Sequence, residues 1–448
     1  MFVIPTLALL GCDADDSSSS PDPSPEGPIQ NVLVLSVDTT RWDQLTSIDT
    51  MPFLATKTAE SGVRLESLWS TGNWTMPVMP AVQSGVYGFN MGWRLYGADR
   101  PTLPGDTPTL AERLGAEGYR SYVDSCNPVF GLTDATRGFE TIVECGDPTS
   151  AEPGDPGTIK EQLERVEGWI AQSESEHPST PWIVQLHTND GHDPNTHPAP
   201  ECAVASAELA AACPYGTSVS AELLDMDLAY AEVCGAAMKA RHDCDVRMMD
   251  THLEDAWARW DASGILTNTV VLLVTDHGEN HYEDHGVWPD QGVALPRYWG
   301  HQGGMNAQVS RGFGWAWTRD LEAPSSITAA TSQVDIVPTA LHLLDRDDLA
   351  TGMDGASMFS VASDRVVTQF ACDGIQQWHG ASDAEYHMFA YKEMTGTGVE
   401  TWVMYDIVAD PSEVNPMSVA AGPQPLKDTI RAQMDVATLE PDVYCRFR

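Results

Sequence analysis

The chain has 448 residues, 42% of them hydrophobic, with 65 Asp and Glu against 24 Lys and Arg and a formal net charge of -41. That length exceeds what one core usually fills, so a large domain with a smaller one is expected, and apolar residues spread along the chain exclude a disordered protein. The shortage of clustered cations excludes a nucleic-acid partner; most carboxylates read as a solvated surface suited to a salty or extracellular medium, and a few as divalent-cation ligands.

The first twelve residues, MFVIPTLALLGC, form a short apolar run ending at Cys12, and an acidic, Ser- and Pro-rich stretch follows. The run resembles a bacterial lipoprotein signal with Cys12 as its lipidated residue, without the usual basic start. A plain secretory signal and a buried strand are the other readings. Export to the periplasm or the extracellular space is therefore expected, with a membrane tether through Cys12 and a disordered polar linker over 13–30. No later apolar stretch reaches the roughly 20 residues that span a bilayer. Eight further cysteines remain: Cys126, Cys145, Cys202, Cys213, Cys234, Cys244, Cys372 and Cys445. An even count in an exported chain predicts disulfides, whose pairing the sequence leaves open, and the lack of any CxxC pair argues against structural zinc.

The folded part starts at Asn31, where Val32 to Val37 is a nearly continuous apolar run, as in a parallel strand covered on both faces, and it ends at Asp38. Helical periodicity follows over Met51 to Gly62 and Thr109 to Gly118. Tyr119 to Asp124, Trp182 to His187 and Thr269 to Thr275 read as short strands, each followed by polar residues. This alternation predicts an α/β fold with a large, mostly parallel central sheet flanked by helices, its site beyond the carboxyl ends of the strands. An Ala-rich, Cys-rich segment over about 194–243 reads as a disulfide-pinned insertion above that site. From about residue 345, strand-like alternation at Val366 to Phe370, Tyr386 to Tyr391 and Thr401 to Tyr405 predicts a smaller α+β region with an antiparallel sheet. The expected layout is a signal over 1–12, a linker over 13–30, a catalytic domain over 31–345 and a subdomain over 346–448.

The clearest chemical signal is the apolar run Val271 to Val274 that delivers Asp276, His277, Gly278 and Glu279. A carboxylate and an imidazole at a strand exit offer oxygen and nitrogen to one cation, and Gly278 permits a tight turn. Asp38 stands at an equivalent strand end, where capping the next helix is its other role. Thr75, in Trp74-Thr75-Met76-Pro77, stands at a helix start where an anionic ester binds well; capping is again the alternative.

Nine segments share one order with a known family: NVLVLSVDTTRWDQL, GVRLESLWSTGNWTMP, SGVYG, GYRSYVDSCNPVFG, RGFE, QLHTNDGHDP, NTVVLLVTDHGE, SQVDIVPTALHLL and MYDIVADPSEVN. Through them the chain resembles the sulfatase-like branch of the alkaline phosphatase superfamily. The resemblance implies a large α/β domain with a cation at the strand ends and a smaller C-terminal domain. It implies Asp38, Thr75, Asp276 and His277 as metal ligands, Thr75 as nucleophile, and His192 and Asn127 as contacts to the anionic group. His301 falls where the family places a group near the leaving oxygen; as lone histidines, His192 and His301 have a purely structural role as their other reading. His281 and His285 are candidates for a second cation.

The departures are informative. Sulfatases proper carry Cys-x-Pro-x-Arg or Ser-x-Pro-x-Arg, whose first residue becomes formylglycine; here the segment is Thr75-x-Pro77-x-Met79, so no formylglycine is expected. The second acid of the usual Asp-Asp pair is Thr39, and the Gly-Lys-Trp segment is Cys126-Asn127-Pro128. The threonine set resembles that of phosphoethanolamine and glycerophosphate transferases, which form a phospho-threonine. The expectation is a metal-dependent hydrolase of a sulfate or phosphate ester acting through a covalent intermediate on Thr75. The sulfatase resemblance implies Ca²⁺ as the cation; the threonine site implies Mn²⁺ or Zn²⁺. The substrate is a small-molecule, glycan or lipid ester. A transferase acting on a surface glycan or lipid, and a catalytically silent binding protein, are the alternatives.

Overall fold

The computed structural model describes residues 29–91, 102–127, 129–145, 157–192, 200–213, 228–287, 289–290, 299–301, 303–321, 326–372, 376–393 and 400–438. The expected signal with Cys12, most of the linker, and Cys445 lie outside the described residues.

Strand β1 (Asn31–Val37) is the middle of the central sheet, paired in parallel with β5 (Trp182–Thr188) and β6 (Thr269–Thr275). Beyond β5 come β3 (Arg120–Ser125) and β4 (Thr141–Glu144), both parallel. Beyond β6 the sheet continues through β9 (Arg311–Trp317), antiparallel to its neighbours, and β2 (Val63–Trp69), which takes the short strands β10 (Ser326–Ile327) and β11 (Thr331–Ser332) on its far edge.

The residues of β1 explain why it is central. Val32 and Val34 face a cluster with Val78, Met79 and Val82 of α3 (Thr75–Ser84) and Leu110 and Leu114 of α4 (Leu110–Gly115). Leu33, Leu35 and Val37 face the opposite cluster, with Leu54 of α2 (Pro52–Glu60) and Leu163, Val166 and Ile170 of α6 (Ile159–Glu176). Each such side chain contributes on the order of 2 kcal/mol by leaving water, so a strand apolar on both faces belongs between two helical layers. The start of α4 follows from a capping box: Thr109 Oγ1 accepts from the Glu112 amide at 3.1 Å, and Glu112 Oε2 accepts from the Thr109 amide at 2.9 Å.

The segment after β5 holds α7 (Ala203–Ala212) and the long helix α8 (Leu228–Ser263), which passes Asp243 without a break and packs Val246, Met249, Leu253 and Trp260 on the sheet. Disulfides Cys202–Cys244 and Cys213–Cys234 join α7 and its ends to α8, and Cys126–Cys145 joins the ends of β3 and β4. A two-stranded ribbon, β7 (Asn280–His281) with β8 (Trp299–Gly300), lies against α8. The remaining short helices are α1 (Trp42–Leu45), α5 (Val129–Leu132) and α9 (Ala307–Ser310), and α10 (Ile336–Leu343) joins the first core cluster.

The C-terminal antiparallel sheet runs β12 (Val367–Cys372), β13 (Gln376–Ser382), β14 (Tyr386–Glu393), β15 (Glu400–Asp406) in order. One face buries Leu426, Ile430 and Met434 of α11 (Gln424–Thr438); the other buries Trp378, Phe389, Val403 and Tyr405 with Met305. The Tyr405 hydroxyl donates to the His285 carbonyl at 3.1 Å, tying this sheet to the segment behind the candidate site. Among the described residues no helix is long and apolar enough to cross a membrane.

Candidate active site

Adjacent parallel strands β1 and β6 release their chains at the same sheet edge, in the register Val37 opposite Thr275, so Asp38 and Asp276 emerge side by side. Asp38, Asp276 and His277 are fully buried, with ligand atoms within 4.8 Å of one another. His277 Nε2 lies 3.5 Å from Asp38 Oδ1 and 3.4 Å from Asp276 Oδ2. Its other nitrogen, Nδ1, is 3.0 Å from the Gly278 carbonyl, to which it can only donate, so Nε2 of the neutral ring presents a lone pair to the carboxylates. Burial, with His301 nearby, pushes the His277 pKa down to about 3 against the pull of Asp38, so that neutral form prevails.

Two carboxylate oxygens and a nitrogen lone pair converging in a buried space repel one another unless a cation stands between them. Asp38 Oδ1 and Asp276 Oδ2 have no hydrogen-bond partner, whereas the second oxygen of each is engaged. Asp276 Oδ1 accepts from the Thr39 amide at 3.2 Å and the His277 amide at 2.6 Å. Asp38 Oδ2 accepts from Asn127 Nδ2 at 2.8 Å. Burial and the neighbouring Asp38 hold the Asp276 carboxyl well above its usual range. Burial would raise Asp38 too, but His192, His187 and His277 outweigh it and hold Asp38 below its usual range. The donor set therefore fits a divalent cation, whose charge would ionise both acids.

Thr75 is the first residue of α3, and its hydroxyl does not cap that helix: the N-cap is Trp74, which makes no side-chain cap bond. Thr75 Oγ1 instead lies 3.4 Å from Asp38 Oδ2 and 3.3 Å from His277 Nε2, and it accepts from Asn127 Nδ2 at 3.1 Å. Asn127 is fixed in turn by its Oδ1, which accepts from the Val129 amide at the start of α5. The structure thus brings Asp38, Thr75, Asn127, Asp276 and His277 together. His301 packs on His277 with ring centroids 4.4 Å apart, and His192 on His301 at 5.3 Å, so both stand at the mouth of the same cluster. His281 and His285 join no group of three metal-ligating side chains among the described residues. His285 Nε2 pairs with the Asn280 side-chain Nδ2 instead.

Three contributors are given no role by the sequence. His187, at the end of β5, places Nε2 3.4 Å from Asp38 Oδ2, with Nδ1 held 2.9 Å from Ser36 Oγ. In sequence it looks like the last residue of a core strand. Glu279 Oε2 lies 3.0 Å from His301 Nδ1 and so orients that ring. Arg41, just before α1, is buried behind the turn and binds Asp43, Glu283 and the Glu279 carbonyl. Gly278 is required by close approach rather than by an unusual φ: a Cβ there would lie 2.0 Å from the Gln308 carbonyl oxygen. Its amide donates to the Val309 carbonyl at 2.7 Å, so any side chain would push α9 away from the site.

The family model named Sulfatase matches residues 30–346, about seven-tenths of the chain. No curated protein matches. Solved structures share the fold at low identity. The phosphonate monoester hydrolase of Silicibacter pomeroyi is 16% identical with TM-score 0.62, over 92% of this chain and 96% of that one. A Bacteroides thetaiotaomicron protein described with the metabolism of multiple glycosaminoglycans is 15% identical with TM-score 0.64, over 92% and 96%. The lipoteichoic acid synthase LtaP of Listeria monocytogenes is 13% identical with TM-score 0.58, over 94% of each chain. With its two-sheet architecture and the family match over most of its length, this chain belongs to the sulfatase family of sulfuric and phosphoric ester hydrolases.

Proposed function

We propose that the protein hydrolyses a sulfate or phosphate ester through a covalent intermediate on Thr75. The observation that carries this is the Thr75 hydroxyl, freed from capping and set against Asp38 and His277 at the positive end of α3. Asp38, Asp276, His277 and Thr75 would hold a divalent cation, which would supply Lewis acidity that eases loss of the Thr75 hydroxyl proton. Asn127 and His192 bind the ester's non-bridging oxygens. Thr75 Oγ1 attacks sulfur or phosphorus, the bond to the leaving oxygen breaks, and His301 protonates that oxygen. The Glu279 carboxylate at His301 Nδ1 supports the protonated ring, as the orienting acid does in a triad. Water then releases the group from Thr75. Formylglycine chemistry is not open to this chain, because a threonine cannot be converted and Met79 stands where the supporting arginine would be.

Transfer of the covalent group to a surface glycan or lipid uses the same residues and differs only in the acceptor; the threonine in place of cysteine or serine favours keeping it as a second reading. A lipid tether at Cys12 suits either, and three disulfides fit an oxidising compartment. Thr75→Ala tested on aryl sulfate, phosphate monoester and phosphodiester substrates should lower turnover by roughly four orders of magnitude or more while metal content and melting temperature hold. Turnover within tenfold of the wild type would overturn the assignment, and a metal-free, inactive wild type would point to a silent binding protein.

A further inference from the structure

Beside His192 and Glu279 the site opens into a cleft of about 110 Å³ between the Gly191 turn, α8 and the β7–β8 ribbon. Gly191 keeps the passage thin: a Cβ there would lie 3.1 Å from the Asp38 carbonyl and 3.4 Å from His242 Nε2, so the cleft adjoins the cation cluster directly.

Its polar groups are buried and unpaired in a distinctive way. Gln44 Oε1 accepts from the Arg41 amide at 3.1 Å, and Gln44 Nε2 donates to Asp243 at 2.7 Å, which fixes the amide orientation. The same Nε2 lies 3.0 Å from His242 Nδ1, so Nδ1 accepts and the proton of the neutral ring sits on Nε2, which has no partner. His281, more than nine-tenths buried and edge-on to His242 at 4.8 Å, leaves both ring nitrogens unpaired. The Trp299 indole N–H and Glu279 Oε1 are unpaired too. Burial holds His242 near pKa 4 and His281 well below its usual value, so both rings are neutral.

The cations are already engaged. Arg241 binds the Asp245 carboxylate through two nitrogens at 2.9 and 3.0 Å, and Arg41 is held by Asp43 and Glu283. A second anionic group would find no uncompensated cation among the described lining residues and would face Glu279. Interleaved donors and acceptors on a wall that the Trp299 indole also lines suit hydroxyl groups, which both donate and accept, on a ring with an apolar face.

We infer that this cleft is a subsite for an uncharged, polyhydroxylated ring, the alcohol part of an ester that carries one anionic group only. It deepens the proposed function and rests on it for the position of the ester.

The test compares a hexose monosulfate or monophosphate, the matching bis-ester, and a 4-nitrophenyl ester on the full chain. The wild type should favour the hexose monoester over the bis-ester by about tenfold or more in kcat/KM. His281→Phe and Trp299→Leu should each lower kcat/KM for the hexose monoester about tenfold or more, chiefly through KM, and change the aryl ester less than about threefold. Equal losses on both esters, or preference for the bis-ester, would overturn the inference. So would a second divalent ion per chain that His281→Phe removes, since the cleft would then be a metal site. His281→Asn serves if the Phe variant does not fold. Should the wild type turn over no ester at all, the proposed function falls, but calorimetric titration with neutral methyl hexopyranosides and with glucuronate still decides the cleft. Binding of the neutral glycosides, weakened in His281→Phe, upholds it; no binding, or tighter glucuronate, overturns it.

Discussion

Asp38, Asp276 and His277 stand at the ends of two paired strands, whereas in the adjoining cleft His242, His281 and Trp299 come from the middle of a 36-residue helix and a two-stranded ribbon. The strand-end cluster is a concentration of like charge, and backbone amides and Asn127 satisfy only half of its carboxylate oxygens. The cleft carries little free charge, with each arginine matched to a carboxylate and the His242 and His281 rings discharged by burial. The first arrangement needs a cation and the second rejects extra charge, so a single buried site can divide its work between an anionic reacting group and an uncharged remainder.

The largest effect should come from the charged side. Asp276→Asn should remove the bound cation and lower turnover by roughly a thousandfold or more on every ester, hexose or aryl, as measured by metal analysis beside initial rates. In chelated protein the same variant should melt no lower than the wild type, because one of two buried, facing acids has been neutralised. Retained metal and rate would collapse the contrast between the two sides.

His301→Ala should separate the sides by leaving group. Protonation matters most for a poorly acidic alcohol, so the rate on a hexose ester should fall about 100-fold or more and the rate on a 4-nitrophenyl ester far less. Equal losses would take His301 out of the acid role.

A smaller effect should appear in stability. The folded-state pKa of His242 lies near 4, below its usual 6.5, with burial outweighing the pull of Glu279 and Asp243 and with Arg41 and Lys239 adding to the drop. The unfolded chain therefore binds the extra proton, and the stability this neutral ring contributes is present above pH 6.5 and lost as pH falls toward 4. By pH 4.5 the loss is on the order of 2 kcal/mol. His242→Gln should flatten the corresponding part of the melting-temperature profile between pH 7 and 4.5; an unchanged slope would show that the ring is not held neutral.

The charged side was the more legible in sequence, for a physical reason. An apolar run that ends in an acid marks a strand end, and parallel pairing brings such ends together, so Asp38 and Asp276 could be placed before any coordinates. Thr75 stood out by its helix start, although only the structure shows that Trp74, not Thr75, occupies the cap. His187 was hidden because a histidine closing an apolar run looks like core. Strands β9 and β13 were missed as well: RGFGWAW and QQWHGAS carry glycine and polar residues that pack between neighbours rather than forming an apolar run. The cleft was illegible because it rests on contacts such as Gln44 with His242, 198 residues apart, that no local pattern announces. His281 drew notice as a metal candidate, yet what marks it is its pair of unmatched nitrogens beside His242.

The central claim, that Thr75 carries the transferred group, is tested most directly by rapid acid quench of the metal-loaded protein during turnover of an activated aryl phosphate or sulfate, followed by peptide mass spectrometry. One phosphoryl or sulfuryl group is expected on the peptide containing Thr75, absent from Thr75→Ala. An active enzyme whose quenched peptides carry the group on another residue would contradict it.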